Sequence, residues 1–226
     1  MRMTRRSYDQ FCGLSRALDI VGERWTLLIV RELMSGPKRY SDLAGTLVGI
    51  GTSLLANRLK QLDADGILTR RYVGPPVAST VYELTDVGQE LANSLAPLAI
   101  WGVRHQISAG PDDHETYHVE WTLLFLSRML RPAELSENYS YEVRVGDDAA
   151  WLTIRDGIAS VAVNGVDGAD AVVTTDPETM AAISGGRVAI GDAIGDGRVT
   201  VEGNPDALAF LLPVLEGVQE RITARL

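Results

Sequence analysis

The chain has 226 residues, of which 46% are hydrophobic and 23% are charged, with a net charge of −9 at pH 7. This length and composition are typical of one or two globular domains and exclude a wholly disordered chain. The apolar runs are too short for a membrane span, no apolar stretch follows the N-terminal arginines, and one cysteine cannot form an intrachain disulfide, so we expect a cytoplasmic protein without membrane partners.

The first half of the chain is predicted to be mainly helical. Apolar residues at helical spacing predict helices over residues 14–21 and 25–33. Ser41 is the predicted N-cap of a third, short helix. A turn at residues 49–51 then leads into a fourth helix over residues 52–64, which an Asp-Gly pair closes.

After this helix the hydrophobic period changes from 3.6 to 2. Residues 67–72 and 80–84 are predicted strands, and the prolines and glycine of residues 73–79 predict a loop between them. Thr85 is the predicted N-cap of a helix that continues to about Gln106. The order helix, turn, helix and two-stranded ribbon is that of a winged helix-turn-helix domain.

The helix over residues 52–64 has two different faces. Projection at 100° per residue places four leucines together, namely Leu54, Leu55, Leu59 and Leu62. The opposite side, called the outward face below, consists of Ser53, Ala56, Asn57 and Lys60. Asn pairs with adenine, Ser bonds bases or phosphates, and Lys reaches guanine or phosphate, so this face suits the major groove of double-stranded DNA.

A second interpretation of the same face is that it meets only water, as the exposed faces of most surface helices do. Arg58 lies at the edge of the leucine side, where its stem packs on the core and its guanidinium meets a carboxylate or a phosphate. For Arg58 we favour the structural role. Beside the predicted ribbon tip, Arg70 and Arg71 are candidates for phosphate contacts.

Four stretches, residues 18–29, 36–43, 55–68 and 82–88, resemble the HxlR family of bacterial winged-helix regulators. The resemblance covers about residues 8–105. It implies a homodimer that binds a pseudo-palindromic DNA site and regulates transcription, with Lys38 and Arg39 near the phosphate backbone. The sequence departs from the family pattern at Gly51, where a serine is common, which removes one cap or phosphate contact.

In the same family, helices from both ends of the winged-helix domain pair between subunits, which here points to residues 12–18 and 91–101. Some family members sense oxidants or electrophiles through a cysteine in this region. Cys12 is therefore a redox candidate, because nearby arginines lower the pKa of a thiol. The alternative, a small buried apolar residue, is the one we favour.

The predicted domain boundary is the turn-rich stretch at residues 110–113, where the sign of the charge also changes. Residues 1–110 carry 13 Lys and Arg and 10 Asp and Glu, a net charge of +3. Residues 111–226 carry 8 and 20, a net charge of −12. We therefore expect a DNA-binding and dimerisation domain over residues 1–110 and an acidic domain over residues 111–226 that avoids nucleic acid.

Strand patterns dominate the second half, after one amphipathic helix that ends at Pro132. Residues 139–145 alternate cleanly, and the Asp-Gly pair at residues 156–157 predicts a hairpin. Asp176 and Asn204 each precede a proline, an arrangement that starts helices. Further strands are predicted at about residues 169–175 and 199–201, and Pro213 is expected to kink or split the final helix.

The second half resembles the sterol carrier protein family in the order and spacing of residues 169–177, 185–186 and 198–205. The resemblance implies a small mixed sheet covered by helices, so that the whole chain has an α+β fold, with room for an apolar cavity of the kind that holds lipid-like ligands in some relatives. Candidate lining residues are Trp121, Leu124, Phe125 and Phe210. Core packing explains the same apolar stripes without a ligand.

His114, Glu115 and His118 match the H-E-x-x-H signature of zinc proteases. That chemistry needs both histidines on one helical face and a third ligand, whereas this motif follows a Gly-Pro turn. We interpret it as a chance match, and no other catalytic set stands out. The sequence predicts no enzyme, metal or cofactor, but a DNA-binding regulator modulated by an apolar small molecule. The alternative is a lipid-binding carrier whose winged helix serves protein contacts.

Overall fold

The computed structural model describes residues 7–75, 78–107, 110–112, 114–163, 165 and 168–223. The chain divides into two compact units, the first ending at Leu95 and the second beginning at Ala96. The division therefore falls within a helix, ahead of the predicted boundary at Gly110.

The first unit is a set of helices followed by a small sheet. In chain order its elements are α1 (Gly13–Val21), α2 (Thr26–Glu32), a 3-10 turn (Leu33–Ser35), β1 (Lys38–Arg39), α3 (Tyr40–Thr46), α4 (Thr52–Ala64), β2 (Leu68–Val73), β3 (Ser79–Leu84) and α5 (Asp86–Gln106), of which α5 continues into the second unit. The three strands are antiparallel in the order β1-β3-β2. These elements match the predicted helices and ribbon, except that the sequence patterns do not predict β1.

The core of the first unit contains buried side chains from successive helices, among them Ile29 of α2, Leu43 of α3 and Leu55 of α4. The predicted N-cap at Ser41 is wrong, because α3 begins at Tyr40 and its N-cap is Arg39, two residues before Ser41. The backbone N–H of Arg39 donates to Oδ2 of Asp42 at 2.9 Å, so the carboxylate satisfies an amide that the helix leaves free.

Thr85 joins α5 to the end of the ribbon, and it occupies the predicted capping position. Its Oγ1 accepts a hydrogen bond from the N–H of Gly88 at 3.1 Å and donates to the carbonyl of Gly66 at 2.6 Å. The first turn of α5 consequently passes so close to the chain at Ile67 that a Cβ on Gly88 would overlap the Ile67 carbonyl oxygen. Glycine is needed here for space.

The second unit, apart from the end of α5, is a five-stranded mixed sheet with helices. Its elements are α6 (Val119–Met129), a 3-10 turn (Pro132–Glu134), β4 (Tyr139–Val145), β5 (Asp148–Arg155), β6 (Ile158–Ala162), β7 (Ala171–Thr175), α7 (Pro177–Ser184), α8 (Ile190–Gly195), β8 (Thr200–Gly203) and α9 (Pro205–Thr223). The strand order is β6-β5-β4-β7-β8, in which β4 and β7 are parallel and the other pairs are antiparallel. The sequence patterns do not predict α8, and α9 continues past Pro213 as a single element.

One face of this sheet holds the buried side chains, because residues alternate between the faces along each strand. Tyr141 and Val143 of β4 lie opposite Leu152 and Ala150 of β5, and all four are buried. The hydroxyl of Tyr141 donates to the carbonyl of Ala207 in α9 at 2.9 Å, which satisfies the one polar atom of that buried ring. The small sheet with covering helices agrees with the predicted α+β class.

Within the described residues, no helix combines the length and the apolar character needed to span a membrane.

We predict that Gly88→Ala lowers the free energy of unfolding of the first unit by about 2–3 kcal/mol, because the added methyl group forces α5 away from Ile67. Urea denaturation measures this change. Gly45→Ala is the matched control, since Gly45 lies in α3 and an added Cβ there would have no atom within 4 Å. The control should gain about 0.5–1 kcal/mol. Equal effects of both substitutions would contradict the close approach at Gly88.

Candidate nucleic-acid interface

Helix α4 buries three of the four leucines that its helical projection groups on one side. Leu55, Leu59 and Leu62 are buried, whereas Leu54 retains 37% of its exposure. Leu54, which the helical projection groups with the other three, is therefore not part of the core. It lies about 100° around the helix axis from Leu55, at the margin of a stripe centred on Leu55, Leu59 and Leu62.

The outward face of α4 points away from the buried leucines. Ser53, Ala56 and Lys60 are exposed, and Asn57 is half-buried. The start of α4 is attached to α3 by the hydroxyl of Tyr40, which donates to the carbonyl of Thr52 at 2.8 Å. The outward face consequently combines a hydroxyl, an amide and an ammonium group on a helix whose first turn is anchored.

Arg58 has the structural role that the sequence favours. Its Nη2 lies 2.6 Å from Oε2 of Glu23, and its Nη1 donates to Oε1 of Gln61 at 2.6 Å. Only 14% of its side chain is exposed. Arg58 therefore holds α4 to the segment between α1 and α2, and its guanidinium does not belong to the outward face.

The two arginines of the ribbon differ in their surroundings. Nε and Nη2 of Arg71 donate to the two carboxylate oxygens of Glu83 at 3.0 and 2.9 Å. The hydrogen bond to Glu83 raises the pKa of Arg71, and the same bond lowers the pKa of Glu83. Arg70 is exposed and lies opposite Tyr82. Pro76 and Val77 of the predicted loop lie outside the described residues.

Lys38 and Arg39 form strand β1, yet their surroundings also differ. Nζ of Lys38 lies 3.6 Å from Oε2 of Glu32, whose carboxylate is fully buried. Arg31 donates to Oε1 of the same carboxylate at 3.0 and 2.8 Å. Arg39 is exposed. Of the four predicted phosphate contacts, Arg39, Arg70 and Arg71 are exposed, and Lys38 and Arg71 already lie beside carboxylates.

Cys12 is the N-cap of α1, and it is exposed. Our interpretation of it as a buried apolar residue is therefore wrong. Backbone hydrogen bonds from Ser15 and Leu14 lower the pKa of the thiol below its usual value, because they stabilise the thiolate. Of the arginines that suggest such a shift from the sequence, Arg5 and Arg6 lie outside the described residues.

The four candidate lining residues of the second unit are not equivalent. Leu124 is buried within α6, which packs against β5 and β6. Trp121 and Phe125 of the same helix are half-buried. Phe210 of α9 is also half-buried, and its ring centroid lies 5.7 Å from that of Tyr139. The three aromatic candidates thus retain surface, and Leu124 is part of the core of this unit.

The H-E-x-x-H match does not lie on a helix. His114 is in a turn, and His118 is the N-cap of α6. Nδ1 of His118 lies 3.7 Å from Oδ2 of Asp148, which also accepts the N–H of Val119 at 2.7 Å. The described part of the chain contains no group of three or more His, Cys, Asp or Glu side chains that could hold a metal ion. The geometry that a zinc protease requires is therefore not formed by this motif.

Comparison with known proteins places the similarity in the first half of the chain. The model of the HxlR family, described as HxlR-like helix-turn-helix, matches residues 20–109. YvaP of Bacillus subtilis, an HTH-type transcriptional regulator, is 34% identical over 86 residues, which are 38% of this chain and 80% of that protein. YodB of B. subtilis, another HTH-type transcriptional regulator, is 32% identical over 88 residues, 39% of this chain and 79% of YodB.

Solved structures match part of the chain as well. The reduced form of YodB from B. subtilis has a TM-score of 0.39 and 29% sequence identity, covering 43% of this chain and 97% of that structure. PA1607, described as a putative transcription factor, has a TM-score of 0.42 and 27% identity, covering 49% of this chain and 75% of that structure. The family match ends at residue 109, before the five-stranded sheet begins.

We predict that Lys38→Ala lowers the free energy of unfolding by about 2 kcal/mol, because the buried carboxylate of Glu32 loses a cationic neighbour. Urea denaturation measures the loss. The double substitution Glu32→Gln/Lys38→Met removes the buried charge and the ammonium beside it, while the Gln amide oxygen still accepts from Arg31, and it should recover part of the stability. If Lys38→Ala has the same free energy of unfolding as wild type, the Lys38 ammonium does not stabilise the buried carboxylate of Glu32.

We predict that Cys12 reacts with iodoacetamide at a lower pH in the folded chain than after denaturation in urea, since the thiolate is the reactive form and its pKa is lowered by folding. The rate is measured against pH by mass spectrometry, and the chain contains no second cysteine to confuse the signal. The denatured chain is the control. Identical midpoints in the two states would contradict the role of the backbone hydrogen bonds.

Proposed function

We propose that this chain, which belongs to the family of HxlR-like helix-turn-helix transcriptional regulators, acts as a homodimer that binds a pseudo-palindromic site in double-stranded DNA. Its membership makes it a DNA-binding regulator. What we propose beyond that membership is the homodimer, the pseudo-palindromic DNA site and the roles of individual residues.

The observation that supports this proposal most directly is the orientation of α4. Burial of Leu55, Leu59 and Leu62 turns the outward face towards solvent. We assign Ser53, Asn57 and Lys60 to base contacts, because hydroxyl, amide and ammonium groups match the donors and acceptors at base edges in the major groove.

We assign phosphate contacts to Lys38, Arg39, Arg70 and Arg71, and their surroundings suggest an order among them. Arg39 and Arg70 are exposed cations beside α3 and in the ribbon. Arg71 must exchange its bond to Glu83 for a phosphate, and Lys38 must leave Glu32. Arg39 and Arg70 should therefore contribute more to binding than Arg71 and Lys38, because the ion pairs of Arg71 and Lys38 must be broken before either residue can bind a phosphate.

The proposed dimer is supported by apolar side chains that each unit leaves uncovered. In the first unit, Leu14 of α1 is 69% exposed, and Phe11 just before it is fully exposed. In the second unit, Leu98 and Trp101 of α5 are each more than half exposed. These residues fall in or beside the two stretches that the family resemblance assigns to subunit pairing. A two-fold dimer would place the two α4 helices about 34 Å apart, one turn of B-DNA.

We propose further that the second unit is a sterol-carrier-like module that receives an apolar small molecule. The mixed sheet with covering helices agrees with this architecture, and Trp121, Phe125 and Phe210 retain apolar surface. The net charge of −12 over residues 111–226 keeps this part of the chain from competing for DNA. Native mass spectrometry of the purified protein tests the proposal, because a retained ligand adds its mass to that of the protein.

We predict that Asn57→Ala and Lys60→Ala each weaken binding to a selected duplex by about 1–3 kcal/mol while affecting a scrambled duplex less. Arg70→Ala should weaken binding to both duplexes and reduce the slope of log K against log salt by about 1. Fluorescence anisotropy at several salt concentrations measures these constants, with a duplex that the wild-type protein recovers from a random library.

Arg71→Ala is the matched control for Arg70→Ala, because it removes the same charge from the next residue of β2. It should change the salt slope less, since the Arg71 guanidinium is paired with Glu83 and must leave it to reach a phosphate. Equal losses on both duplexes for Asn57→Ala, Lys60→Ala and Arg70→Ala would remove the roles assigned to them. No binding of wild-type protein to any duplex would favour the carrier whose winged helix serves protein contacts.

A further inference from the structure

Two contacts join α4 and the turn before it to the corner between α1 and α2, which consists of residues 22–25. The first is the ion pair between Glu23 and Arg58 at 2.6 Å, across 35 residues of sequence. The second is made by Trp25, whose indole lies over the backbone of Gly49, 3.6 Å from the position that a Cβ would occupy there. Gly49 belongs to the turn between α3 and α4. The corner therefore touches both the approach to α4 and its middle.

The corner has a defined backbone. The N–H of Gly22 donates to the carbonyl of Leu18 at 2.9 Å and closes α1. Trp25, the N-cap of α2, has a φ of 79°, a left-handed conformation that is costly for a bulky residue and persists only where its surroundings hold it. The guanidinium of Arg24 lies 5.5 Å from the centroid of the Trp25 ring. The position of the Glu23 backbone is thus constrained on both sides.

Packing of leucines does not fix the rotation of α4 about its own axis as tightly as a hydrogen-bonded pair does, because hydrophobic burial is not directional. With side chains the helix has a radius of about 5–6 Å, so a rotation of about 20° moves its surface by about 2 Å. A displacement of that size breaks a hydrogen bond to a base edge. Arg58 lies between Leu54 and Leu62 at the margin of the buried stripe, where a tether resists this rotation most directly.

From this geometry we infer that Glu23 is a positioning residue for DNA recognition: through Arg58 it sets the rotation of α4 and thereby the aim of the outward face. The inference rests on the proposed function. The corner is also linked to the proposed dimer, since α1 carries Leu14, one of the exposed apolar side chains assigned above to subunit pairing. The corner connects that helix directly to the one that carries the outward face.

The exposures of the two partners make the inference testable without unfolding the protein. The side chain of Glu23 is 58% exposed, so its removal leaves no buried carboxylate and no cavity. Arg58 keeps its bond to Gln61 in such a variant. The loss of Glu23 should therefore release the rotation of α4 while the core of the first unit remains packed.

The experiment compares Glu23→Ala and Glu23→Gln with the full-length wild-type chain. Dissociation constants are measured on the duplex selected from the random library and on a scrambled duplex of the same length. We expect Glu23→Ala to reduce the ratio of the two constants by about five- to tenfold, and Glu23→Gln, which retains an acceptor for Arg58, to give an intermediate ratio. Melting curves confirm that each variant is folded at the temperature of the binding assay.

Glu142→Ala is the matched control. Glu142 and Arg144 form a local ion pair within β4 of the second unit, joined at 2.8 and 2.7 Å, and the loss of Glu142 changes the net charge by the same amount. The control should leave the ratio within about twofold of wild type, because any general electrostatic gain in DNA affinity applies equally to both duplexes. A structural role alone would lower the melting temperature of Glu23→Ala without changing the ratio.

The outcomes separate the inference from the function on which it rests. If wild-type protein discriminates between the duplexes and Glu23→Ala discriminates equally well, the positioning role is wrong and the proposed function stands. An equal fall in the ratio for Glu142→Ala also overturns it. If wild-type protein binds the selected and the scrambled duplex with equal affinity, the proposed function itself fails.

Discussion

Burial of Leu55, Leu59 and Leu62 is the constraint on which the proposed interface depends. These side chains lie in the core of the first unit, and the period of the helix then determines which side chains point outward. If α4 began one residue earlier or later, the same side chains would still point outward, because their positions relative to the buried leucines depend only on the order of residues within the helix. The apolar stripe is therefore both the main source of stability for α4 and the reason that Asn57 and Lys60 share one face.

Ion pairs within the first unit decide which of its cations are available to a partner. Arg58, Arg71 and Lys38 each lie beside a carboxylate, although Arg71, like Arg39 and Arg70, is exposed. A cation that already has a partner contributes less to binding DNA, because the existing pair must be exchanged for a phosphate. The same pairing makes Arg58 a structural element, since it connects α4 to the corner between α1 and α2.

The two halves of the chain carry net charges of opposite sign. The first 110 residues have a net charge of +3, and the remaining 116 have a net charge of −12. Such a division is expected when one domain approaches a polyanion and the other must not compete with it. The acidic half builds a separate sheet around Tyr141, Val143 and Leu152, so it has a core of its own.

Local patterns in the sequence predict most of the elements and the class of the interface. Helical periodicity places α4 at residues 52–64, alternation places β4 at residues 139–145, and Thr85 and Asp176 are identifiable as caps from their own neighbourhoods. These features depend on interactions within a few residues, which the order of residues specifies. Two other kinds of feature depend on how the elements pack. One is the pairing of side chains distant in sequence, as in the ion pairs of Glu23 with Arg58 and of Glu83 with Arg71. The other is the exposure of single side chains, as for Cys12 and Leu54. A charge pattern shows that a cation is present, but its partner is chosen by the distances that folding creates.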